Sequence, residues 1–393
     1  MENNEKKLNI ARTVLVAAFA LVLGLLFLLL LVLPKKTGEL SQLEFRVLAE
    51  DPIRGKDASQ IAEELANGKL SSNVDTFLED HFPFRSFFIA LDSYSGRLSG
   101  RNAEQSVLRG GNGRLFDAAL RPVESQLDEN IADINAFAEA NGLDAAIVMV
   151  PSSAAVYPED LPLLHYEYRD ADYIARIREM SSAYVPDLIA LYGAASDKEG
   201  LYYRTDHHWT MDGAYLCYRD ICERFGVTPM EKSAFTVTGY EFYGSFYREA
   251  GLWLTEPDTL EVWRSSVLEV AKVTIGRGDR AKKYEGVYDS TKLKDDEIDK
   301  YAAYLYSNNG LTVIENPLGN GETLLIVKDS YGNSIAPLFA MNYSRIVMID
   351  TRYYTDPTLP KPSELLAEYG ITRMVVVLGA ESMVSDCMLV YLR

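Results

Sequence analysis

The sequence contains little cysteine, and the three that it has form no C-x-x-C pair and cannot all be bridged within the chain. Cys217 and Cys222 lie five positions apart in a predicted helix, which is a poor spacing for a disulfide. We therefore expect both as small buried apolar groups. A chain of 393 residues can bury a core that is large enough to need no disulfide.

Positive charge is also scarce, since 39 basic residues face 57 acidic ones and the formal net charge is −18. No basic stripe interrupts this balance, so we exclude a nucleic-acid partner. The glycine-rich segment Gly110–Phe116 lacks the lysine and hydroxyl residue that end a phosphate-binding loop, and it predicts a hairpin instead. No cofactor and no metal site are predicted.

One long apolar run is present. Residues 13–33 carry no charge, and at roughly 1.5 Å per residue they would span about 30 Å, the thickness of a hydrocarbon core. Pro34, Lys35 and Lys36 follow directly where a signal peptide would have a cleavage site, which predicts an uncleaved single-pass signal anchor. The short segment 1–12 is expected to be a cytoplasmic tail, with the acidic body outside the cell membrane of a bacterium.

The remaining chain is predicted to form two regions. Residues 34–110 are interpreted as a stalk and a helical segment, because apolar residues recur at helical spacing over 57–100. Residues 111–393 are expected to form an α/β domain with a mostly parallel sheet. Its predicted strands cover residues 145–150, 201–204, 323–327, 345–349 and 374–378, and its predicted helices cover residues 127–141, 171–193, 211–225, 335–341 and 361–369.

Residues 231–320 show no clear period. Their aromatic residues, at positions 242–247 and 253–263, suit a carbohydrate-binding groove or an aromatic core equally well. The charged run from Lys292 to Lys300 predicts a solvated helix face.

The stretch from Tyr202 to Thr210 carries two of the four histidines beside an acid. Adjacent imidazoles and a carboxylate can transfer protons, bind a metal or pack as polar groups. Ser330 follows a buried strand and precedes a helix, the position in which a serine hydroxyl is exposed beside free helix amides. We therefore predict Ser330 as a nucleophile, His208 as its base and Asp206 as the group that orients His208.

The two motifs Thr205-Asp206-His207-His208-Trp209-Thr210 and Lys328-Asp329-Ser330-Tyr331 together resemble those of the bacterial DHHW proteins, relatives of the alginate O-acetyltransferase branch of the SGNH hydrolases. In that branch the Asp-x-His motif also precedes the serine. The resemblance implies an SGNH-like three-layer sandwich outside the membrane, with the same three catalytic residues. It also implies acetyl transfer or esterase activity on a cell-surface polysaccharide, through an acyl-serine, with a membrane-bound acyltransferase as partner.

Five other residues are candidates to support the site or its oxyanion. His207, Trp209 and Tyr331 flank the catalytic residues in sequence. The last predicted strand ends in Gly379-Ala380-Glu381, without the asparagine that SGNH esterases use, so Asn309 or Asn333 would have to take its place.

Two readings without an acyl-serine stay open at this stage. A non-catalytic glycan-binding or assembly subunit would keep the fold and the aromatic surface. Metal-dependent phosphoester hydrolysis is suggested by the string Asp206-His207-His208, but it needs further carboxylates on separate strands, and no early Asp-x-Asp ends an apolar strand.

Overall fold

A computed structural model describes residues 2–41, 44, 46–104, 106–119 and 124–392. Met1 and Arg393, the outer ends of the predicted tail and of the predicted α/β domain, lie outside the described residues. The chain divides into two compact units, Met1–Arg101 with Gly251–Trp253, and Asn102–Ala250 with Leu254–Arg393.

The first unit is mainly helical. Its elements are α1 (Glu2–Val32), β1 (Leu40–Ser41), β2 (Arg46–Val47), α2 (Ala58–Ala66), α3 (Lys69–Asp80) and α4 (Arg85–Leu98). Within α1, the segment Asn9–Val32 is long and apolar enough, by length and composition alone, to cross a membrane. Gly68, in a left-handed conformation, separates α2 from α3.

The second unit contains the large sheet. Its elements are β3 (Ala103–Glu104), β4 (Val107–Arg109), β5 (Leu115–Asp117), α5 (Glu124–Ala140), β6 (Asp144–Val150), α6 (Ser153–Val156), α7 (Asp170–Met180), α8 (Leu188–Gly193), α9 (Met211–Arg224), β7 (Thr236–Phe242), α10 (Ser245–Ala250), β8 (Asp258–Arg264), α11 (Ser266–Val270), β9 (Lys272–Ile275), β10 (Lys282–Glu285), β11 (Leu311–Glu315), β12 (Thr323–Lys328), α12 (Tyr331–Ala340), β13 (Arg345–Ile349), α13 (Pro362–Tyr369), β14 (Arg373–Gly379) and α14 (Ala380–Ser385).

Seven strands form this sheet in the order β10-β9-β11-β13-β12-β14-β6. The strands β13, β12, β14 and β6 pair in parallel, whereas β10, β9, β11 and β13 pair antiparallel. The α/β class is therefore confirmed, but the expected mostly parallel sheet is wrong: within the described residues the sheet is mixed. The parallel part consists of apolar strands that are buried on both faces, as such sheets require.

Helices cover both faces of the sheet and give three layers. Alternate residues of β6 point to opposite sides: Ala146 and Val148 pack with α9 and α12, and Ala145 and Ile147 pack with α5, α7 and α14. Each fully buried Leu, Ile or Val contributes about 1.5–3 kcal/mol relative to an exposed one. Because both cores are large, the end of each central strand is held rigidly in place.

Several predicted elements need correction. The helix expected over 171–193 is two helices, α7 and α8, because Pro186 lacks an amide and disfavours helical geometry in the residue before it. The strand expected over 201–204 is a single bridge between Tyr202 and Trp209. Cys217 and Cys222 are buried and unpaired, as predicted.

Residues 231–320, whose sequence shows no clear period, contribute aromatic side chains to the core of the second unit. Phe242 and Trp263 are almost fully buried, so these two aromatic residues pack inside the unit and do not form an open carbohydrate groove. The charged run does not form the solvated helix face that was expected. Lys300 at its end is only 7% exposed and donates hydrogen bonds to the carbonyl oxygens of Asp295 and Glu297.

Candidate active site

Ser330 lies in a turn at the carboxyl end of the central strand β12. The preceding Asp329 fixes this turn, since its carboxylate accepts the amide of Tyr331 at 3.0 Å and the amide of Gly379, in the neighbouring strand β14, at 2.7 Å. At Gly332 a Cβ atom would lie 2.4 Å from the Cβ of Lys328, so only glycine allows this close turn. The serine is therefore presented from the middle of the sheet.

The second turn, which precedes α9, carries Asp206 and His208. The Asp258 carboxylate anchors its start by accepting the amides of Arg204 at 2.9 Å and Thr205 at 2.8 Å. Thr210 ends the turn as the N-cap of α9, because its hydroxyl accepts the Gly213 amide at 3.3 Å.

The two turns meet through His208. Its Nε2 lies 2.7 Å from Ser330 Oγ, and its Nδ1 lies 2.6 Å from Asp206 Oδ1. With the Nδ1 proton donated to the carboxylate, Nε2 is left to accept the serine hydroxyl. The structure joins the three predicted residues in one chain of hydrogen bonds, although His208 and Ser330 lie 122 positions apart in the sequence.

Asp206 is well placed to stay ionised. Burial opposes its charge, but the imidazoles of His207 and His208 and the hydrogen bonds from the His208 ring and the Ser245 amide hold its pKa well below the usual value. The Ser245 amide donates to Oδ2 at 2.7 Å, which leaves Oδ1 for His208. A fixed carboxylate on Nδ1 is what orients a histidine base.

The His208 ring is clamped between two other rings. Tyr301 stacks on it with ring centroids 3.8 Å apart and an interplanar angle of 14°, and His207 lies 3.8 Å away on a tilted plane. The Tyr301 hydroxyl, 3.2 Å from both the Ser330 carbonyl oxygen and Ser334 Oγ, reaches the serine turn as well. Tyr301 therefore touches both halves of the site, a role that no local pattern in the sequence indicated.

His207 takes a different place from His208. Its Nδ1 lies 3.0 Å from Ser245 Oγ, and its side chain, 39% exposed, lines the pocket beside Ser330. Desolvation and the adjacent His208 imidazole lower its pKa to about 4, so this ring is neutral at pH 7. It does not contact Ser330 through a hydrogen bond in the described structure.

The remaining candidates are placed as follows. Trp209 is fully buried and donates from Nε1 to Ser334 Oγ at 2.8 Å, and the Tyr331 hydroxyl donates to the His207 carbonyl oxygen at 2.8 Å. These two residues bind the two turns to each other. Asn309 donates to the carbonyl oxygens of Tyr306 and Ser307, and Asn333 donates to Asn308, so neither side-chain amide is directed at Ser330.

A pocket of about 130 Å³ opens beside Ser330. Its lining comes from eight different segments of the second unit, including Asp117 at the end of β5, Asp170 at the start of α7, Arg352 after β13 and Glu381 in α14. Because the carboxyl ends of parallel strands share one edge, this is where an α/β sheet is expected to bind its ligand.

A metal would compete with the catalytic arrangement. Asp206, His207 and His208 offer ligand atoms that lie within 4.8 Å of one another. The two ring nitrogens of His208 are, however, already engaged by Asp206 and Ser330, and both carboxylate oxygens of Asp206 accept hydrogen bonds. This donor set fits a proton relay better than a metal site.

Comparisons with known proteins agree with the resemblance read from the motifs. A family model described as DHHW protein matches residues 172–349. A curated relative named probable alginate O-acetylase AlgJ, from Pseudomonas aeruginosa, is 27% identical over 192 residues, which cover 45% of this chain and 47% of the relative. The chain thus spans about half the length of the curated relatives that it matches.

Two solved structures share the fold. One is a DHHW family protein from Eubacterium siraeum, with a TM-score of 0.59 and 22% identity over 72% of this chain and 97% of the other. The second is Bacillus cereus PatB1 with a sulfonyl adduct, with a TM-score of 0.59 and 18% identity over 72% of this chain and 97% of the other. The predicted resemblance to DHHW proteins is confirmed, and it includes both the histidine turn and the serine turn.

Proposed function

We propose that this chain, a DHHW-type protein, transfers acetyl groups to or from the hydroxyls of a cell-surface polysaccharide through an acyl intermediate on Ser330. The observation that carries the proposal is the chain of hydrogen bonds from Asp206 through His208 to Ser330 Oγ, at 2.6 and 2.7 Å. The polysaccharide is suggested by the name of the curated relative, probable alginate O-acetylase.

In the first half of the reaction, Ser330 Oγ attacks the carbonyl carbon of an acetyl ester while His208 Nε2 takes the hydroxyl proton. The carbonyl π electrons move to oxygen and form a tetrahedral oxyanion. When this collapses, the ester C–O bond breaks and the leaving alcohol takes the proton from His208. Asp206 stabilises the imidazolium that exists between these two transfers.

The oxyanion needs donors at the start of α12. The amides of Tyr331 and Gly332 are engaged by Asp329, but the described part of the chain provides no hydrogen-bond acceptor for the Ser330 amide. We assign that amide to the oxyanion, together with the field at the N-terminus of the ten-residue helix.

In the second half, a hydroxyl of the acceptor loses its proton to His208 Nε2 and attacks the acetyl-Ser330 carbonyl. The bond to Ser330 breaks, and the serine recovers its proton from His208. If the attacking hydroxyl belongs to a glycan, the product is an O-acetyl glycan. If it belongs to water, the product is acetate and the protein is an esterase.

The helix α1 fits an anchor for such an enzyme. We propose that Asn9–Val32 spans the bacterial cell membrane and holds the catalytic unit outside the cytoplasm, in reach of surface glycans and of a membrane-bound acyltransferase partner. Protease added to intact cells should then degrade the folded body, whereas protection of the body until lysis would contradict this placement.

The test compares Ser330→Ala with the exposed control Ser182→Ala. Ser330→Ala should abolish acetate release from an activated acetyl ester and labelling by a serine-directed sulfonyl fluoride, and Ser182→Ala should retain both. Persistence of both activities in Ser330→Ala would refute the catalytic proposal.

A non-catalytic glycan-binding role is the second candidate. It is favoured by the positions of Asn309 and Asn333, which leave the site without a side-chain amide for the oxyanion. In that case the purified protein would release no acetate, and polysaccharide binding would survive the replacement of both Ser330 and His208 by alanine.

A further inference from the structure

The charge of the pocket beside Ser330 points to a class of substrate. We infer that this pocket selects an uncharged or amino-bearing glycan and disfavours a polyuronate. The inference rests on the proposed function, because it concerns the acceptor and ester that reach Ser330.

Four carboxylates line this pocket, and all but Asp329 come from elements other than the serine turn. Asp117, Asp170 and Glu381 line it, and within the described residues no lysine, arginine or histidine forms an ion pair with any of them. Asp170 is largely committed, since it accepts the Ser152 amide at 2.6 Å. Glu381 is exposed and Asp117 is half-buried, so both remain available to a ligand.

The one guanidinium in the lining does not neutralise these acids. Arg352 donates from Nε and Nη2 to the Asp350 carboxylate, at 2.9 and 2.8 Å. Asp350 also accepts Lys328 Nζ at 3.0 Å, and Asp329, whose pKa is raised by burial, lies in the pocket lining beside Ser330. The charges of Lys328 and Arg352 are therefore directed at Asp350, and within the described residues no cation pairs with Asp117 or Glu381, whose negative field reaches the pocket.

The pKa of Asp117 reflects the negative charge around it. Burial, followed by the negative charges of Glu381 and Glu249, raises its pKa to about 6. A carboxylate brought in by a substrate would meet the same repulsion, because clefts lined by one sign of charge with low-dielectric walls focus the potential. Like-charge repulsion of this kind is a common basis for rejecting a wrong partner.

The same groups suit a neutral sugar. Carboxylates accept hydrogen bonds from sugar hydroxyls or from an ammonium group, and the lining adds the hydroxyl residues Ser152, Ser153 and Ser382. His207 is neutral at pH 7 because of its lowered pKa, so it adds no positive charge for a uronate. The pocket therefore offers many acceptors for an uncharged glycan and little attraction for an anionic one.

The test uses two para-substituted benzenesulfonyl fluorides of opposite charge, 4-(2-aminoethyl)benzenesulfonyl fluoride and 4-(fluorosulfonyl)benzoic acid. The full chain is kept in non-ionic detergent, and the labelling of Ser330 is followed by mass spectrometry. Each rate is divided by that reagent's hydrolysis rate in buffer, which removes the difference in intrinsic reactivity.

We expect the ammonium reagent to label at least about tenfold faster than the carboxylate reagent at low ionic strength. Added salt, Glu381→Gln and Asp117→Asn should each reduce this ratio, because each weakens the negative field. The matched control Glu269→Gln, an exposed glutamate in α11, should leave the ratio as it is.

Two results would overturn the inference. If both reagents label wild-type Ser330 at equal normalised rates, or if Glu381→Gln and Asp117→Asn leave the ratio unchanged, the pocket does not select by charge, although the proposed catalysis stands. If neither reagent labels Ser330, the proposed function itself fails, and the inference fails with it.

Discussion

Two charged regions adjoin the Ser330 turn and differ in how they are compensated. The inner network of Lys328, Asp350 and Arg352 is paired throughout, with Lys328 and Asp350 almost fully buried. Among the described residues, no cation forms an ion pair with the pocket acids Asp117, Asp170 and Glu381. Buried charges persist only when they are paired, whereas unpaired acids at a pocket are free to meet a ligand. We therefore expect the inner network to hold the Ser330 turn in position, and the pocket acids to disfavour anionic ligands.

The Ser330 turn lies between these two regions. If it is catalytic, a variant that disables the hydrogen-bonded chain to Ser330 should show the largest effect on activity. Asp206→Asn should reduce acetate release by about 10⁴-fold: when the amide oxygen accepts the Ser245 amide, the NH2 group faces His208 Nδ1 and can only donate to it, so the tautomer of His208 reverses. Initial rates with an activated acetyl ester would measure this. Asp197→Asn, an exposed aspartate on the preceding loop, serves as the control, and a loss below about tenfold in Asp206→Asn would argue against the relay.

Removing one partner of the inner network should cost stability. Asp350→Ala leaves buried Lys328 uncompensated and should reduce the free energy of unfolding by about 3–5 kcal/mol. Denaturant unfolding followed by tyrosine and tryptophan fluorescence would measure it. Replacing the pair as Lys328→Met with Asp350→Leu should regain much of the loss, and Glu381→Gln, a pocket acid, should change stability by less than about 0.5 kcal/mol. Equal losses at Asp350 and Glu381 would remove the distinction between the two regions.

The apolar strands explain why much of the fold could be predicted. Strands β12, β13 and β14 are apolar runs buried on both faces, so their composition alone identifies them, and Gly370 ends α13 in the left-handed conformation that favours glycine. The antiparallel part was missed because β9 and β10 are four-residue strands with exposed, charged positions, which give no periodic signal.

The catalytic candidates could be predicted from the sequence, whereas the residues that surround them in the pocket could not. Asp206, His208 and Ser330 stand in motifs at strand or turn ends, so local order indicated them. Tyr301 and Glu381 reach the site only through tertiary packing, from a 3-10 turn and from the short helix α14. No spacing along the chain encodes such contacts, which is why the sign of the pocket charge became visible only in three dimensions.

Substitution of Tyr301 tests whether ring stacking positions His208. Tyr301→Leu removes the ring that stacks on His208 and should lower kcat by roughly tenfold with little change in KM, because the base is then less well oriented. Tyr301→Phe keeps the ring and loses only the hydroxyl, so it should restore most of kcat. Steady-state kinetics on both variants would measure the difference. Equal kcat values in the two variants would show that stacking has no part in catalysis.

The smallest expected effect concerns the pocket acids and pH. The folded pKa of Asp117, about 6, lies above its ordinary value of 3.8, so the folded state favours the protonated form. The stability associated with this proton is present in acid and is lost as the pH rises from about 4 through 6. Asp117→Asn should therefore match the wild type in melting temperature near pH 4 and exceed it by about 2 °C at pH 7.

Thermal unfolding of both proteins across this range checks that prediction. Glu381 and Glu249 are the anions that act on Asp117, and the neighbouring Tyr168 hydroxyl donates to its backbone carbonyl oxygen. In Glu381→Gln the difference should shrink, since one source of repulsion is removed. A melting difference that is independent of pH would contradict an elevated Asp117 pKa.

The most direct test of the account is to trap the acyl-enzyme. The full chain is mixed with an activated acetyl ester, quenched in acid, digested and examined by mass spectrometry, beside His208→Ala. We predict one acetyl group on the peptide that contains Ser330 in the wild type, and none in His208→Ala. Acetylation at another residue only, or equal acetylation of Ser330 without His208, would contradict the proposal that His208 activates Ser330 as the nucleophile.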